Sequence, residues 1–265
     1  MTVLDDIVAG VREDLEARRR QAPLSEVIDR ARSAAPARAV DRSADFGVIA
    51  EVKRRSPSRG DLADIPDPGT LAGLYAAGGA RAISVLTESR RFSGSLADLD
   101  GVRAAVDIPV LRKDFMVDEY QFHEARAHGA DLVLLIVAAL EPAQLGEFHA
   151  LATDLGMTAL VETHNRAELE IAAELGADLI GVNTRNLKDL SVDTARFSPL
   201  AELAPSGATL VAESGVTSET DVAGYAASGA DLVLVGEALV TGGDPRAAVA
   251  SFTATGRTHR AVSAS

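Results

Sequence analysis

Two periods of apolar and polar residues alternate along the chain. Short, nearly unbroken apolar runs occur at VIAEVK (48–53), AISVLT (82–87), PVLRKDF (109–115), LVLLIV (132–137), TALVET (158–163), LIGVN (179–183), TLVAES (209–214) and LVLVG (232–236). Runs of this length and composition read as strands buried on both faces. Ala-rich stretches with helical spacing lie between them, as in LAGLYAAGGA, FHEARAHGA, ELEIAAELGA and DVAGYAASGA. Each of these closes on a glycine, at Gly79, Gly129, Gly176 and Gly229. The glycine fits a helix stop and the run after it fits a buried strand.

The four glycines recur at intervals of about fifty residues, so the repeating unit is a pair of strand–helix modules. Eight alternating modules in 265 residues predict an α/β protein, a single (β/α)8 (TIM) barrel. A doubly wound sheet would need a GxGxxG turn after its first strand, and the chain has none. Residues 1–46 precede the first strand and predict an N-terminal helical extension. Leu4, Ile7, Val8, Val11 and Leu15 fall on one helical face, with Asp5, Asp6, Arg12, Glu13 and Glu16 opposite. A shorter helix is expected around Leu24 to Ser33, both packing against the barrel. Residues 1–265 are read as one domain, with a frayed tail over 255–265.

Some of these strands carry charges that a buried strand should not. Glu51 and Lys53 lie two residues apart in the first run, so they share one face. In a barrel of this kind the reacting groups sit at the C-terminal ends of the strands. Those ends supply Glu51 and Lys53, then Lys113, Glu162, Asn183 and Glu213. If Lys113 points inward so does Leu111, while Arg112 and Asp114 face the helices; Glu162 shares a side with Leu160, and Glu213 with Val211. One such ion pair could be purely structural. An inward ring drawn from five strands, lysines and glutamates from four and Asn183 from the fifth, instead suits an acid and a base that tune one another. Ser214-Gly215 and Gly236-Glu237 follow the last two runs, where small residues let backbone N–H groups approach a phosphate. Phe92 and Phe115 adjoin predicted strand–helix loops and are candidates for stacking as well as for packing.

Composition narrows the alternatives. The net charge of −13 disfavours nucleic-acid binding, and the basic loop Lys53, Arg54, Arg55 and Arg59 is read as attracting one small anion. The chain has no cysteine, which excludes disulfides, thiolate metal sites and a cysteine nucleophile. No apolar run approaches the roughly 18 residues that span a bilayer, and Asp5 and Asp6 stand where a signal peptide needs cationic and apolar residues, so the cytoplasm is expected. His123, His128, His149, His164 and His259 show no HxH or HExxH spacing, so no metal is expected, and His164 is placed outside the reacting ring.

The motifs AEVKRRSPSRG (50–60), VLRKDF (110–115), LVET (160–163), GVNTRNL (181–187), AESGV (212–216) and VGEAL (235–239) resemble those of the indole-3-glycerol phosphate synthase family, in order along nearly the whole chain. The N-terminal extension is similar to that family's extra helix over the barrel mouth, although it has no aromatic residue before Phe46 to serve as a lid. The resemblance implies a cofactor-free ring closure, decarboxylation and dehydration of 1-(2-carboxyphenylamino)-1-deoxyribulose 5-phosphate, in tryptophan biosynthesis. It implies Lys113 as general acid and Glu162 as base, with Lys53 on the phosphate or a hydroxyl and sharing acid work, and Glu51 as a second acid/base that orients Lys53. It implies further that Asn183, Arg185, Glu213 and Ser214 position carboxylate and sugar. Ser56, Gly215, Gly236 and the Glu237 backbone would cradle phosphate, and Pro57, Phe92, Phe115 and Leu187 would form the slot for the aromatic ring. The expected partner is a small phosphorylated substrate, without nucleic acid, membrane or obligate protein partner. A phosphosugar isomerase or epimerase, a Schiff-base aldolase and a non-catalytic phosphate-binding barrel remain as alternatives, and the sequence does not divide the acid work between Lys53 and Lys113.

Overall fold

The buried runs pair in the order in which the chain supplies them. A computed structural model describes residues 2–42, 45–56, 60–62, 64–186 and 190–263. Among the described residues, eight parallel strands close into a barrel. They are β1 (Gly47–Val52), β2 (Ala82–Leu86), β3 (Val110–Lys113), β4 (Leu132–Ile136), β5 (Thr158–Thr163), β6 (Leu179–Asn183), β7 (Thr209–Glu213) and β8 (Leu232–Val235). β8 returns to β1 with Gly47 opposite Leu232, which leaves no free edge. Ile49, Leu111, Leu160 and Val211 fill the interior, while Val48, Val85, Val133 and Ile180 pack under the surrounding helices. Each strand therefore meets apolar neighbours on both faces, the physical reason for its unbroken apolar sequence.

The helices are α1 (Val3–Gln21), α2 (Leu24–Ser33), α3 (Pro68–Ala77), α4 (Leu96–Ala105), α5 (Glu119–Ala127), α6 (Pro142–Asp154), α7 (Arg166–Glu174), α8 (Phe197–Ala201), α9 (Glu219–Ala227), α10 (Glu237–Thr241) and α11 (Pro245–Ser263). Asp67, Ser95, Asp118, Asn165 and Ser218 cap the starts of α3, α4, α5, α7 and α9 by accepting from backbone N–H groups. Gly79, Gly129, Gly176 and Gly229 take φ of 90°, 78°, 73° and 95°, the left-handed stop expected of them.

The extension is two helices, as its apolar spacing predicts. Ile7 and Val11 of α1 pack on Val117, and Leu15 meets Val27 of α2 and Tyr120 of α5. Arg18 pairs with Glu124 at 2.9 Å and Arg90 with Asp14 at 2.7 Å, tying α1 to α5 on one side and to the loop after β2 on the other.

The C-terminal segment differs from the frayed tail expected from Thr255, because α11 continues to Ser263. Gly256 lies so close to the Phe46 ring that a Cβ there would be 2.0 Å from it. Arg260 pairs with Asp231 at 2.5 Å and donates to the Ala230 carbonyl at 2.8 Å. Helix packing thus overrides a polar sequence that reads as loose end. Among the described residues no helix is long and apolar enough to cross a membrane.

Candidate active site

The charged residues at the strand ends converge. Glu51 is the fifth residue of β1 and almost wholly buried, and the Lys53 ammonium lies 2.5 Å from it. Lys113 closes β3, and its Nζ stands 3.4 Å from Glu162 Oε2 and 3.3 Å from Glu213 Oε2. Asn183 closes β6, directly opposite Glu213 in the parallel register. All of them border one cavity of about 370 Å³ at the C-terminal end of the barrel. The alternation read from the sequence holds: Leu111, Leu160 and Val211 lie inside the barrel beneath these groups. Arg112, by contrast, is buried in the wall, 3.0 Å from Asp114 and 2.9 Å from Glu124.

Burial opposes charge throughout this group. Loss of water would lower the Lys113 pKa, but the Glu213, Glu162 and Glu51 carboxylates outweigh it and hold the ammonium above the usual lysine range. Burial would raise Glu162, and the Lys113 ammonium, with His164 and Asn183, outweighs that and holds it below the usual carboxylate range. Glu213 goes the other way. Burial and the Glu162 charge push it up to about 8, against the pull of Lys113. Two carboxyl groups of the same chemical type thus have opposite proton affinities, the arrangement that separates an acid from a base.

Polar loops fix the rim. Asn183 Oδ1 accepts from the Arg185 N–H at 3.0 Å and from the Ser214 hydroxyl at 2.9 Å. The Tyr225 hydroxyl donates to the Ser214 carbonyl at 2.9 Å and sits 3.1 Å from Thr184 Oγ1. Ser214 and Gly215 both have positive φ, 68° and 78°, turning the chain sharply after β7. Gly236 faces the Glu51–Lys53 pair, since a Cβ there would lie 2.8 Å from Glu51 Oε2 and 3.5 Å from Lys53 Nζ. The Phe92 and Phe115 rings tilt together at 6.2 Å, Phe115 packs with Val3 and Ile7 of α1, and Leu4 lines the same cavity.

A family model described as indole-3-glycerol phosphate synthase matches residues 4–252. The chain belongs to the indole-3-glycerol phosphate synthase family. It is an enzyme of that type. It is 61% identical to the indole-3-glycerol phosphate synthase of Arthrobacter sp., over 97% of each chain. It is 57% identical to that of Paenarthrobacter aurescens, over 99% of each, and 58% identical to that of Micrococcus luteus, over 98% of this chain and all of the relative. Among solved structures, 3-hexulose-6-phosphate synthase from Salmonella typhimurium superposes with a TM-score of 0.63 at 18% identity, covering 81% of this chain and all of that one. At that identity it speaks to the barrel alone.

The structure gathers around this synthase-family cavity Glu51, Lys53, Ser56, Phe92, Lys113, Phe115, Glu162, Asn183, Arg185, Glu213, Ser214, Gly215, Gly236 and Glu237. Pro57 and Leu187, expected in the aromatic slot, lie outside the described residues, as does Arg59. Two readings change. Arg54 and Arg55 do not border the cavity: Arg54 forks onto Asp98 and the Ile65 carbonyl, and Arg55 faces Asp61 at 3.6 Å. Of that basic loop, the described cation at the site is therefore Lys53. His164, though it does not line the cavity, stands directly behind Glu162 at 3.3 Å rather than apart from the reacting groups.

Other residues were not singled out by sequence. Gly181 gives way to Glu213, whose Oε1 would be 2.1 Å from a Cβ there. Glu88, almost wholly buried, accepts the backbone N–H groups of Arg90, Arg91 and Phe92 and so sets the Phe92 loop. Thr184, to which the motif reading attaches nothing, bonds the Glu213 carbonyl at 3.2 Å. Glu88 and Thr184 each follow a strand run closely, which is the one sequence signal they carry. Among the described residues no group of three or more His, Asp or Glu side chains is placed to hold a metal ion.

Proposed function

We propose that this cavity closes an indole ring on 1-(2-carboxyphenylamino)-1-deoxyribulose 5-phosphate, giving indole-3-glycerol phosphate, carbon dioxide and water. The observation that carries the roles is the Lys113 ammonium between the Glu162 and Glu213 carboxylates, 3.4 and 3.3 Å away. In the first half, the ring carbon bearing the carboxylate attacks the ribulose carbonyl. Lys113, protonated and screened from water, gives its proton to the carbonyl oxygen. Carbon dioxide then leaves and the ring electrons return. In the second half, Glu162 takes a proton as hydroxide departs with a proton from an acid. Every step is a proton transfer or a bond shift within one substrate, so the proposal includes no metal and no cofactor.

We infer different roles for Lys53 and Lys113, and the place of Lys53 supports this. It lies beside Gly236, on the side of the cavity where Ser56, Gly215, Gly236 and the backbone of Glu237 are assigned to the phosphate. We assign Lys53 to that phosphate, with Glu51 orienting it and serving as second acid/base. Asn183, Arg185, Glu213 and Ser214 hold the substrate carboxylate and the sugar. Phe92 and Phe115, with Pro57 and Leu187, hold the aromatic ring near the carbonyl and exclude water. We further infer a one-domain enzyme acting in the cytoplasm without nucleic acid or obligate protein partner, which the charge of −13 and the lack of cysteine support.

Fluorescence of the indole product, followed with purified protein, the carboxyphenylamino-deoxyribulose phosphate and excess EDTA, tests the reading. Robust turnover is expected. Binding without turnover would point instead to a ligand-sensing barrel, and absence of both to a different phosphosugar reaction.

A further inference from the structure

Glu162 has a charged group behind it as well as in the cavity. Its Oε2 faces Lys113, while its Oε1 lies 3.3 Å from Nε2 of His164, the second residue beyond it in the chain. The other ring nitrogen of His164, Nδ1, is 2.9 Å from Glu168 Oε2 in the first turn of α7. Glu168 is itself fixed, accepting the His164 backbone N–H at 2.8 Å and the Asn165 amide at 2.5 Å. Nδ1 is hydrogen-bonded to Glu168, whereas the buried Nε2 stands at ion-pair distance from Glu162 without hydrogen-bond alignment, and a carboxylate beside each ring nitrogen favours the doubly protonated imidazolium.

The surroundings agree. His164 is 7% exposed, so little water competes for either nitrogen. The charged groups facing it are Glu162 from β5 and Glu168 from α7. The turn Val137–Ala139, against which α7 packs, carries no titratable side chain. Around Glu162 itself stand Lys113 from β3, Asn183 from β6 and Glu213 from β7. Burial alone would strip the proton from the imidazole, and the two carboxylates outweigh it, pushing His164 up to about 10.

We propose that His164 is a positioning residue, an imidazolium that bridges Glu168 to Glu162, fixes the rotamer of the Glu162 carboxylate and keeps it ionised for proton removal in the dehydration half-reaction. This rests on the assignment of Glu162 as base. Without the bridge, Glu162 would face Glu213 with Lys113 as its remaining cationic neighbour among the described residues, and its Oε1 would be free to turn from the substrate.

Three measurements on the intact enzyme test it. His164→Ala and His164→Asn should lower kcat roughly ten- to a hundred-fold, with KM little changed, because orientation rather than binding is lost. The acidic limb of the kcat profile should move to higher pH in both, as Glu162 loses a cation. In the wild type, imidazole nitrogen NMR should show His164 protonated on both nitrogens at about pH 8, where an ordinary imidazole is neutral. A neutral His164 there overturns the bridge, even if both variants fail to fold. Unchanged kcat and pH profile in His164→Asn overturn the positioning role. Glu162→Gln, measured alongside, keeps the two ideas apart. If it retains turnover, the base assignment and the positioning role fail together; if it is inactive while His164→Asn is normal, only the inference about His164 fails.

Discussion

Arg112 and Lys113 leave the same strand on opposite faces, the guanidinium 2.9 Å from Glu124 in the wall and the ammonium 3.4 Å from Glu162 in the cavity. One strand thus separates a cation that holds the wall from a cation that faces the site. Arg112 is enclosed completely, its Nε toward Thr87 Oγ1 at 3.2 Å and one terminal nitrogen donating to the Gln121 carbonyl at 3.1 Å. Through Glu124 it also reaches Arg18 of α1, and through Asp114 the backbone N–H of Phe115. The wall behind Lys113 is thereby joined to the helix over the barrel mouth and to the aromatic slot.

Arg112→Met keeps much of the volume but leaves Asp114 and Glu124 buried beside a neutral side chain. Removing one partner of a buried ion network typically costs about 3–5 kcal/mol, because the remaining charges lose their compensation. Urea unfolding should show a loss of that order. A loss below about 1 kcal/mol, the range of an exposed pair, would contradict the role given to Arg112.

Lys113→Ala and Glu162→Gln remove the two groups assigned to proton transfer. Each should cut kcat by about 10²–10⁴-fold while substrate binding stays largely intact, the span associated with one general acid or base. Steady-state kinetics with a separate binding titration will show it. Near wild-type rates for both would dismiss the proposed roles.

Gly181→Ala should impair the site more than the fold. The new Cβ would meet Glu213 Oε1, the end of a side chain that can swing away, so stability should change little. Displaced, Glu213 no longer faces Lys113, and kcat should fall by roughly tenfold or more. Thermal melts and kinetics on the same preparation distinguish this from general unfolding.

The pH dependence of stability should carry the mark of His164. Its pKa is raised in the folded state from 6.5 to about 10, so folding favours the protonated form. The contribution is fully present below 6.5 and is lost as pH rises through about 10. The stability advantage of the wild type over His164→Asn should therefore shrink across that window. A difference in urea midpoints that stays constant from the lower limit to the upper would contradict it.

The strands were legible because double-sided burial demands apolar residues at consecutive positions, and the helix stops because a left-handed residue is most easily glycine. The inward set was legible for a simpler reason: Leu111 and Lys113 share a face by the period of two, as do Leu160 and Glu162. Arg54 was misread because a cation in a loop looks the same in sequence whether it meets a ligand or Asp98, 44 residues on. The tail beyond Thr255 was misread because its apolar contact, Phe46, lies more than two hundred residues earlier.

By itself the sequence determined the barrel, the faces of its strands, the family and the set of groups at the strand ends, all properties of local period and short motifs. Only the tertiary structure decided which carboxylate keeps its proton, which cation is sealed into the wall and what stands behind Glu162. Those outcomes depend on distances of a few ångströms between residues from different strands and helices, and on the water excluded between them, and neither is written in the order of residues along a chain.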